Sequence, residues 1–293
     1  MKPRTAPRSG ERAQLALFPS LGRDIAPRDA QDLMAWPFFS LAKRRRVTPI
    51  DFRMGQTWIS VEAVPEHGMA TIWDADVLIW AASQIVAARD AGMPTSRLMA
   101  TTPHEILTFT GRGTGKDHYD RLKAALDRLQ TTTVATSIRQ QHQRRRHRFS
   151  WINEWRELAD GDGRALGIEL ILPDWFYAGV VDRTFVLTID RAYFDLTGGL
   201  ERWLYRIVRK HGGQQEGGWS FDVSHLHLKS GALSPLKQFA FELRAIVRRQ
   251  SLPGYALAIE RTFGRERLTF APEPADPFET AARRVGFAVD NRP

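Results

Sequence analysis

Three groups of residues have types and spacing that could support enzyme chemistry. The first, Gly111-Arg112-Gly113-Thr114-Gly115-Lys116, is similar to the glycine-rich loop that wraps nucleoside phosphates. That loop requires a glycine, four intervening residues and then Gly-Lys followed by Ser or Thr, because the backbone amides wrap the phosphates and the hydroxyl binds magnesium. Thr110 and Asp117 occupy these positions here, and no apolar strand leads into the loop. The sequence therefore does not predict a phosphate loop.

The second group, His225-Leu226-His227, has the spacing of metal-dependent enzymes that use a tyrosine to nick plasmid DNA. Two imidazoles that bind one metal this way must lie on a strand, where alternate side chains point to the same side. Residues 222–229 have a helical pattern instead, and helical residues two apart point about 200° apart. DNA nicking is therefore only the alternative chemistry.

The third group consists of Asp51, Asp74 and Asp76, which could form a nuclease-like carboxylate cluster. Asp74 fits better as the N-cap of the helix that follows it, and no other residue supports a metal site. The sequence therefore predicts a protein that is not an enzyme, with no catalytic residues, no metal and no cofactor.

Basic residues are the remaining group that could carry function. Residues 139–148 contain five Arg and two His and no acidic residue, within a chain of net charge +9 and pI about 10.2. Such a stretch requires an anionic partner or water, and DNA phosphate is the expected partner. A solvated surface loop is the alternative.

The elements around this stretch predict a winged helix. Helices are predicted from Asp74 to about Gly92, over 103–110 and over 116–130, where Leu122, Leu126 and Leu129 share one face. The β-branched run 132–138 and the segment 149–155 then form a hairpin with its tip at 139–148, and 167–172 is a third strand. Three helices followed by a hairpin is the winged-helix order.

The second half of the chain repeats this pattern about 120 residues later. Helices are predicted over 200–211, 222–229 and 236–247, followed by strands at 255–260 and 268–270 around a turn at 264–267. We therefore expect an α+β fold with two tandem winged-helix domains. The predicted boundaries are a disordered tail at 1–33, domain 1 at 34–172, domain 2 at 173–272 and an irregular tail at 273–293.

In both units, basic residues occupy the third helix, away from its apolar face, and the hairpin. A solvated basic face is the alternative to a DNA contact. The predicted DNA-binding residues are Lys116, Arg121, Lys123, Arg128, Arg139, Arg144, Arg145, Arg146, Arg148, Lys229, Lys237, Arg244, Arg248, Arg265 and Arg267. The run Lys43-Arg44-Arg45-Arg46 is equally consistent with a solvated strand edge and with a phosphate contact.

The predicted tail contains an apolar island that ends before Pro19. Gln14, Leu15, Leu17 and Phe18 match the fixed positions of the pentapeptide with which bacterial proteins bind the sliding clamp. An exposed apolar segment of this kind can dock in extended form in a groove. A short helix that packs back onto the body is the alternative.

Composition limits the remaining classes of protein. The chain has no Cys, which excludes disulfides, cysteine zinc sites and a thiol nucleophile. It has no run of 18 apolar residues and no signal peptide, so we expect a cytoplasmic bacterial protein without a membrane contact.

Two segments, Arg202–Gly212 and Phe239–Ile246, together with the paired basic units, resemble the plasmid replication initiator protein A family over roughly residues 34–272. The resemblance implies binding to repeated origin sequences (iterons) in double-stranded DNA, opening of the adjacent duplex and recruitment of host replication proteins. These include the sliding clamp through residues 14–18, with host initiator and helicase proteins as further candidates, and a homodimer is also consistent with the family. A winged-helix transcriptional repressor and a scaffold for protein partners are the alternatives.

Overall fold

The computed structural model describes residues 10–22, 24–139, 147–159, 161–162, 165–212, 218–262 and 264–273. Its α-helices are α1 Gly10–Ala13, α2 Gln31–Ala35, α3 Ala75–Asp90, α4 Pro103–Phe109, α5 Lys116–Thr131, α6 Asp174–Val181, α7 Gly199–Gly212, α8 Val223–Ser230 and α9 Leu236–Arg249. Its strands are β1 Leu17–Pro19, β2 Arg28–Ala30, β3 Ile50–Met54, β4 Thr57–Glu62, β5 Leu98–Thr101, β6 Thr133–Thr136, β7 Arg148–Ser150, β8 Glu154–Ala159, β9 Ala165–Ile171, β10 Val186–Thr188, β11 Trp219–Asp222, β12 Tyr255–Thr262 and β13 Arg265–Pro272. Two 3-10 helices span Arg183–Phe185 and Arg191–Asp195.

The first repeated unit contains α3, β5, α4, α5, β8 and β9 in chain order. Its helix α4 begins with a capping box, in which the Thr102 hydroxyl accepts from the Glu105 amide and the Glu105 carboxylate accepts from the Thr102 amide. Helix α5 buries Leu122, Leu126 and Leu129 on the face that the sequence predicts. The three strands pair in the order β5-β9-β8, and β1 adds to the outer side of β5.

The second unit contains α7, β11, α8, α9, β12 and β13, and its strands pair in the order β11-β13-β12. Apart from β6 and β7, which lie between α5 and β8, both units therefore share one sequence of elements and one order of strands. The first helices begin at Ala75 and Gly199 and the third helices at Lys116 and Leu236, so the helices repeat at intervals of about 120 residues. The fold is mixed α and β, as the sequence predicts.

The hairpin predicted between 132 and 155 differs from the structure. Strands β6 and β7 do pair with each other, but they belong to a separate sheet of order β3-β4-β6-β7. Val134 and Phe149 are buried in that sheet, and Ile59 of β4 pairs with Thr136. The hairpin equivalent to β12–β13 is β8–β9, so β6 and β7 do not form the hairpin predicted for the first unit. Strand β4 pairs with β3 on one side and takes the β-branched run as β6 on the other, because its backbone groups on that side would otherwise be unpaired.

The N-terminal segment also differs from the prediction. Residues 10–22 and 24–33 contain helix and strand rather than a disordered tail. Strand β1 pairs in parallel with β5, and Phe18 is buried with only 5% of its surface exposed, whereas Leu17 is 53% exposed. Phe18 therefore belongs to the core. The predicted docking of residues 14–18 as a free extended peptide does not fit this conformation.

Elements outside the two repeats join the two units. Strand β2, which precedes the first unit, pairs antiparallel with β10, which lies between the units. Helix α2 packs against α7, and one hydrophobic cluster contains buried residues from both halves of the chain. Among the described residues, no helix is long and apolar enough to cross a membrane.

Candidate nucleic-acid interface

Helix α9 carries a basic stripe on the side opposite its buried face. Phe239, Leu243 and Ile246 point into the core. Lys237, Phe241, Arg244 and Arg248 follow at helical spacing on the outer side, and Phe241 remains 58% exposed. The outer side of α9 is therefore basic, with one exposed aromatic ring among its cations.

The β12–β13 hairpin is fixed to this helix by a carboxylate. Arg244 of α9 donates to Glu266 at 2.7 Å, and Arg261 of β12 donates to the same carboxylate at 2.7 and 2.9 Å. These hydrogen bonds, first that from Arg261, hold the pKa of Glu266 below its usual value. Glu266 therefore partly neutralises the charge of Arg244.

Three predicted residues of the second unit keep their full charge at the surface. Lys237, Arg248 and Arg265 are exposed and form no ion pair with a described residue. Arg267 is partly neutralised, because its Nε lies 3.4 Å from Asp222 and its guanidinium donates to Ser220. The helix and the turn of the hairpin thus present free cations on neighbouring elements.

The third helix of the first unit is closer to neutral. Lys123 pairs with Glu157 of β8 at 2.7 Å, and Arg128 donates to both oxygens of Asp74 at 2.7 Å. Lys116 and Arg121 are exposed and form no ion pair with a described residue. The two helices are therefore equivalent in position but not in charge.

Two predicted DNA contacts lie inside the protein instead. Lys229 is 6% exposed, with its ammonium 4.3 Å from the centre of the Trp36 ring, and burial lowers its pKa to about 8. Arg139 lies 3.9 Å over the Trp175 ring and pairs with Asp32 at 2.9 Å. Long cationic side chains can bury their stems against aromatic faces, which a charge pattern alone does not reveal. Lys229 is therefore buried, and Arg139, with 19% of its side chain exposed, is held against Trp175 and Asp32, so neither offers a free cation at the surface.

The remaining predicted cations are Arg148 at the start of β7 and three arginines that precede it in the sequence. Arg148 pairs with Glu62 of β4 at 2.8 Å and lies on the other sheet. Arg144, Arg145 and Arg146 lie outside the described residues. Their contribution to DNA binding stays a prediction.

The groups that could have supported enzyme chemistry have structural partners. His225 lies in α8 and stacks on Phe221 at 5.7 Å, while Nε2 of His227 lies 2.7 Å from the Ser234 carbonyl oxygen. Asp76 is bound by Arg112 and Arg202. Over the part of the chain that the structure describes, no three His, Asp or Glu side chains are grouped as metal ligands.

One basic cluster goes beyond the predicted residues. Lys43, Arg44 and Arg45 lie beside His118 and Arg121 of α5, around an open cavity. Arg46, the last residue of this run, is instead buried and donates to the Thr48, Pro49 and Gly231 carbonyls. The basic run 43–46 is visible in the sequence, but its proximity to α5 depends on tertiary contacts that the sequence does not show.

Comparison with known proteins identifies the family of this chain. The model of the family described as replication initiator protein A matches residues 28–257. A Wigglesworthia glossinidia brevipalpis protein described as "Putative replication protein" is 30% identical over 229 residues, which cover 76% of this chain and 81% of the relative.

Solved structures share the fold at low sequence identity. A crystal structure of domains 2 and 3 of RctB has a TM-score of 0.61 and 15% identity, and covers 83% of this chain and 98% of that chain. A second crystal structure of these RctB domains has a TM-score of 0.55 and 14% identity, over 84% and 97% of the two chains. With the family model spanning most of the sequence, the resemblance predicted from the sequence is confirmed, and the chain belongs to the replication initiator protein A family.

Proposed function

We propose that this protein is a replication initiator that binds duplex origin DNA through two winged-helix units and acts without catalysis. The observation that carries the proposal is the repeated order of helices and strands, with the β5-β9-β8 and β11-β13-β12 sheets in equivalent positions. In winged helices, the third helix enters the major groove and the hairpin contacts the flanking backbone. Helices α5 and α9 are then the recognition helices.

The second unit supplies the stronger contact in this proposal. Lys237 and Arg248 on α9 can donate to base edges or phosphates, and Arg265 at the hairpin turn reaches the neighbouring backbone. The first unit contributes Lys116 and Arg121. Since β2–β10 pairing and a shared core join the units, the protein presents both helices in a fixed arrangement to successive grooves.

Opening of the duplex and recruitment of host replication proteins complete the proposed role. Residues 14–18 are not the recruiting contact in this conformation, because Phe18 is in the core. Recruitment must then use another surface of the protein.

The test is whether a plasmid fragment with the origin replicates in a host that supplies this protein. We expect replication with the native chain and none with Lys237→Gln combined with Arg248→Gln, which should lose origin binding. Arg183→Gln is the matched control, because Arg183 is 74% exposed and lies in the segment between the units. Specific DNA binding by the native chain without replication would overturn the initiator role in favour of a repressor.

A further inference from the structure

An open cavity of about 770 Å³ lies at the N-terminal side of α5. One wall is the segment 43–45, which precedes the first repeated unit, and the other is α5 with the loop before it. The residues that line it are Lys43, Arg44, Arg45, His67, Met69, Thr71, Trp73, Asp74, Arg112, His118, Arg121, Arg128 and Arg202. Cationic side chains thus dominate the lining.

The charges of this cavity do not balance. Asp74 is the only carboxylate among the lining residues, and Arg128 already neutralises it through two hydrogen bonds of 2.7 Å. Arg112 and Arg202 share the single carboxylate of Asp76, which is not among the lining residues. Four cations, Lys43, Arg44, Arg45 and Arg121, then remain without an ion pair to any described residue. Concentrated positive charge in a concave site attracts anions.

The backbone holds the 43–45 segment in place. On one side, the Ser40 amide donates to Ala70 and the Ile72 amide donates to Ser40, at 3.0 and 2.9 Å. On the other side, the Met69 amide donates to the Arg46 carbonyl at 2.8 Å. The cations are therefore presented by a loop that is tied down at both ends.

Gly68 allows the Arg45 side chain to pack closely against the backbone of the cavity wall. Its φ is +77°, and a Cβ there would lie 2.4 Å from Cγ of Arg45. The Arg45 side chain runs across this glycine and donates to the Glu66 carbonyl at 3.1 Å. Only glycine allows both the backbone conformation and the close approach of the arginine.

We propose that this cavity binds a phosphate group, and that the phosphate belongs to the backbone of the DNA strand that passes the N-terminus of α5. The proposal rests on the proposed function and extends its contacts to a segment outside the winged-helix repeat. Phosphate is favoured over a carboxylate ligand because several Arg and Lys donors converge and a tetrahedral anion accepts from all of them. The contact fixes the position of α5 without reading sequence.

The test uses the full chain and a random-sequence duplex, with affinity measured against salt concentration. Each lost phosphate contact lowers the slope of log K against log salt by about 0.9. We expect this loss for Arg44→Gln and for Arg121→Gln, with equal weakening on any sequence. Arg183→Gln is the control, because Arg183 is far from the cavity. It lies 3.7 Å from Asp90, at the C-terminal end of the 16-residue helix α3, whereas the N-terminus of α3 borders the cavity. A slope that stays native in both cavity variants would overturn the proposal.

A second measurement separates DNA from free phosphate. Inorganic phosphate is added at constant ionic strength while the imidazole NMR signals of His67 and His118 are followed. We expect saturable shifts in the native chain and their loss in the Lys43→Gln, Arg44→Gln double variant. Shifts that occur together with a native salt slope would assign the cavity to a free phosphate compound and overturn the DNA source.

The failure of this inference can be distinguished from failure of the proposed function. If Lys237→Gln with Arg248→Gln abolishes duplex binding while the cavity variants bind as the native chain does, the cavity proposal is wrong and the function stands. If the native chain itself binds no duplex, both are wrong.

Discussion

Nη1 of Arg202 donates to both carboxylate oxygens of Asp76, at 2.8 and 2.9 Å. Arg202 is on α7 and Asp76 on α3, so the pair joins the first helices of the two repeated units. Both side chains are almost completely buried. A second buried pair, Arg206 with Asp29 of β2, lies one turn further along α7. The segment that carries the family resemblance therefore connects the two halves of the molecule.

Arg202→Ala should lower the free energy of unfolding by about 3–5 kcal/mol, because a buried carboxylate loses a partner. Urea denaturation measures this change. Lys123→Ala is the control, since its pair with Glu157 is half exposed and contributes at most about 1 kcal/mol. Equal effects of the two substitutions would show that the Arg202–Asp76 pair is not buried in solution.

Phe18→Ala should destabilise the fold by about 3–5 kcal/mol, as expected for a large side chain removed from a core. Leu17→Ala should cost far less, because Leu17 is 53% exposed. Thermal or urea unfolding of the two variants compares neighbouring positions of one strand. If both are as stable as the native chain, residues 14–18 are free to dock elsewhere.

Lys229→Met should stabilise the protein at pH 7 by on the order of 1–3 kcal/mol. Burial, with a smaller contribution from Lys210, lowers the pKa of Lys229 from 10.5 to about 8. At pH 7 both folded and unfolded states carry the proton, so the folded state bears the full penalty of burying it. Between pH 8 and 10.5 the unfolded state binds more protons, and native stability rises with pH.

Urea denaturation at pH 7, 8.5 and 10 checks this dependence. The advantage of Lys229→Met should shrink as the pH increases, while Lys237→Met, at an exposed position, should show no such trend. An advantage that is the same at all three pH values would contradict the burial of a charged Lys229.

Arg248→Gln and Arg265→Gln should affect DNA binding differently. Arg248 lies on the outer stripe of α9, so its loss should reduce the preference for the origin over random duplex, at about 1–3 kcal/mol if it reads a base. Arg265 lies at the hairpin turn, so its loss should weaken both duplexes equally and lower the salt slope by about 0.9. Fluorescence anisotropy with both duplexes at several salt concentrations makes the comparison. Identical behaviour of the two variants would contradict the division between helix and hairpin.

Helices were the most predictable part of the fold. Apolar residues at three- and four-residue spacing place α3, α5, α7 and α9 close to their observed bounds, and a capping signal at Thr102 marks the start of α4. The partners of the strands were less predictable, since a β-branched run specifies a strand but not its sheet. Residues 133–136 therefore appear as a wing in the sequence but pair with β4 in the structure.

The candidate interface was predictable only where helical spacing decides it. The exposure of Lys237 and Arg248 follows from the apolar face of α9. The burial of Lys229 and Arg139 depends on Trp36 and Trp175, which are distant in sequence, and the basic cavity requires 43–45 to meet α5. Tertiary contacts of this kind leave no local pattern.

The buried ion pairs also determine what would happen if the gene were divided between residues 172 and 173. Asp29 and Asp76 would remain in one polypeptide and Arg206 and Arg202 in the other, and strands β2 and β10 would be separated as well. Asp29 and Arg206 would each lose their buried partner, and Asp76 would keep only Arg112, so each piece should aggregate when expressed separately. Expressed together, the two pieces carry matching charges and matching strand edges, which suits this protein to reconstitution by fragment complementation.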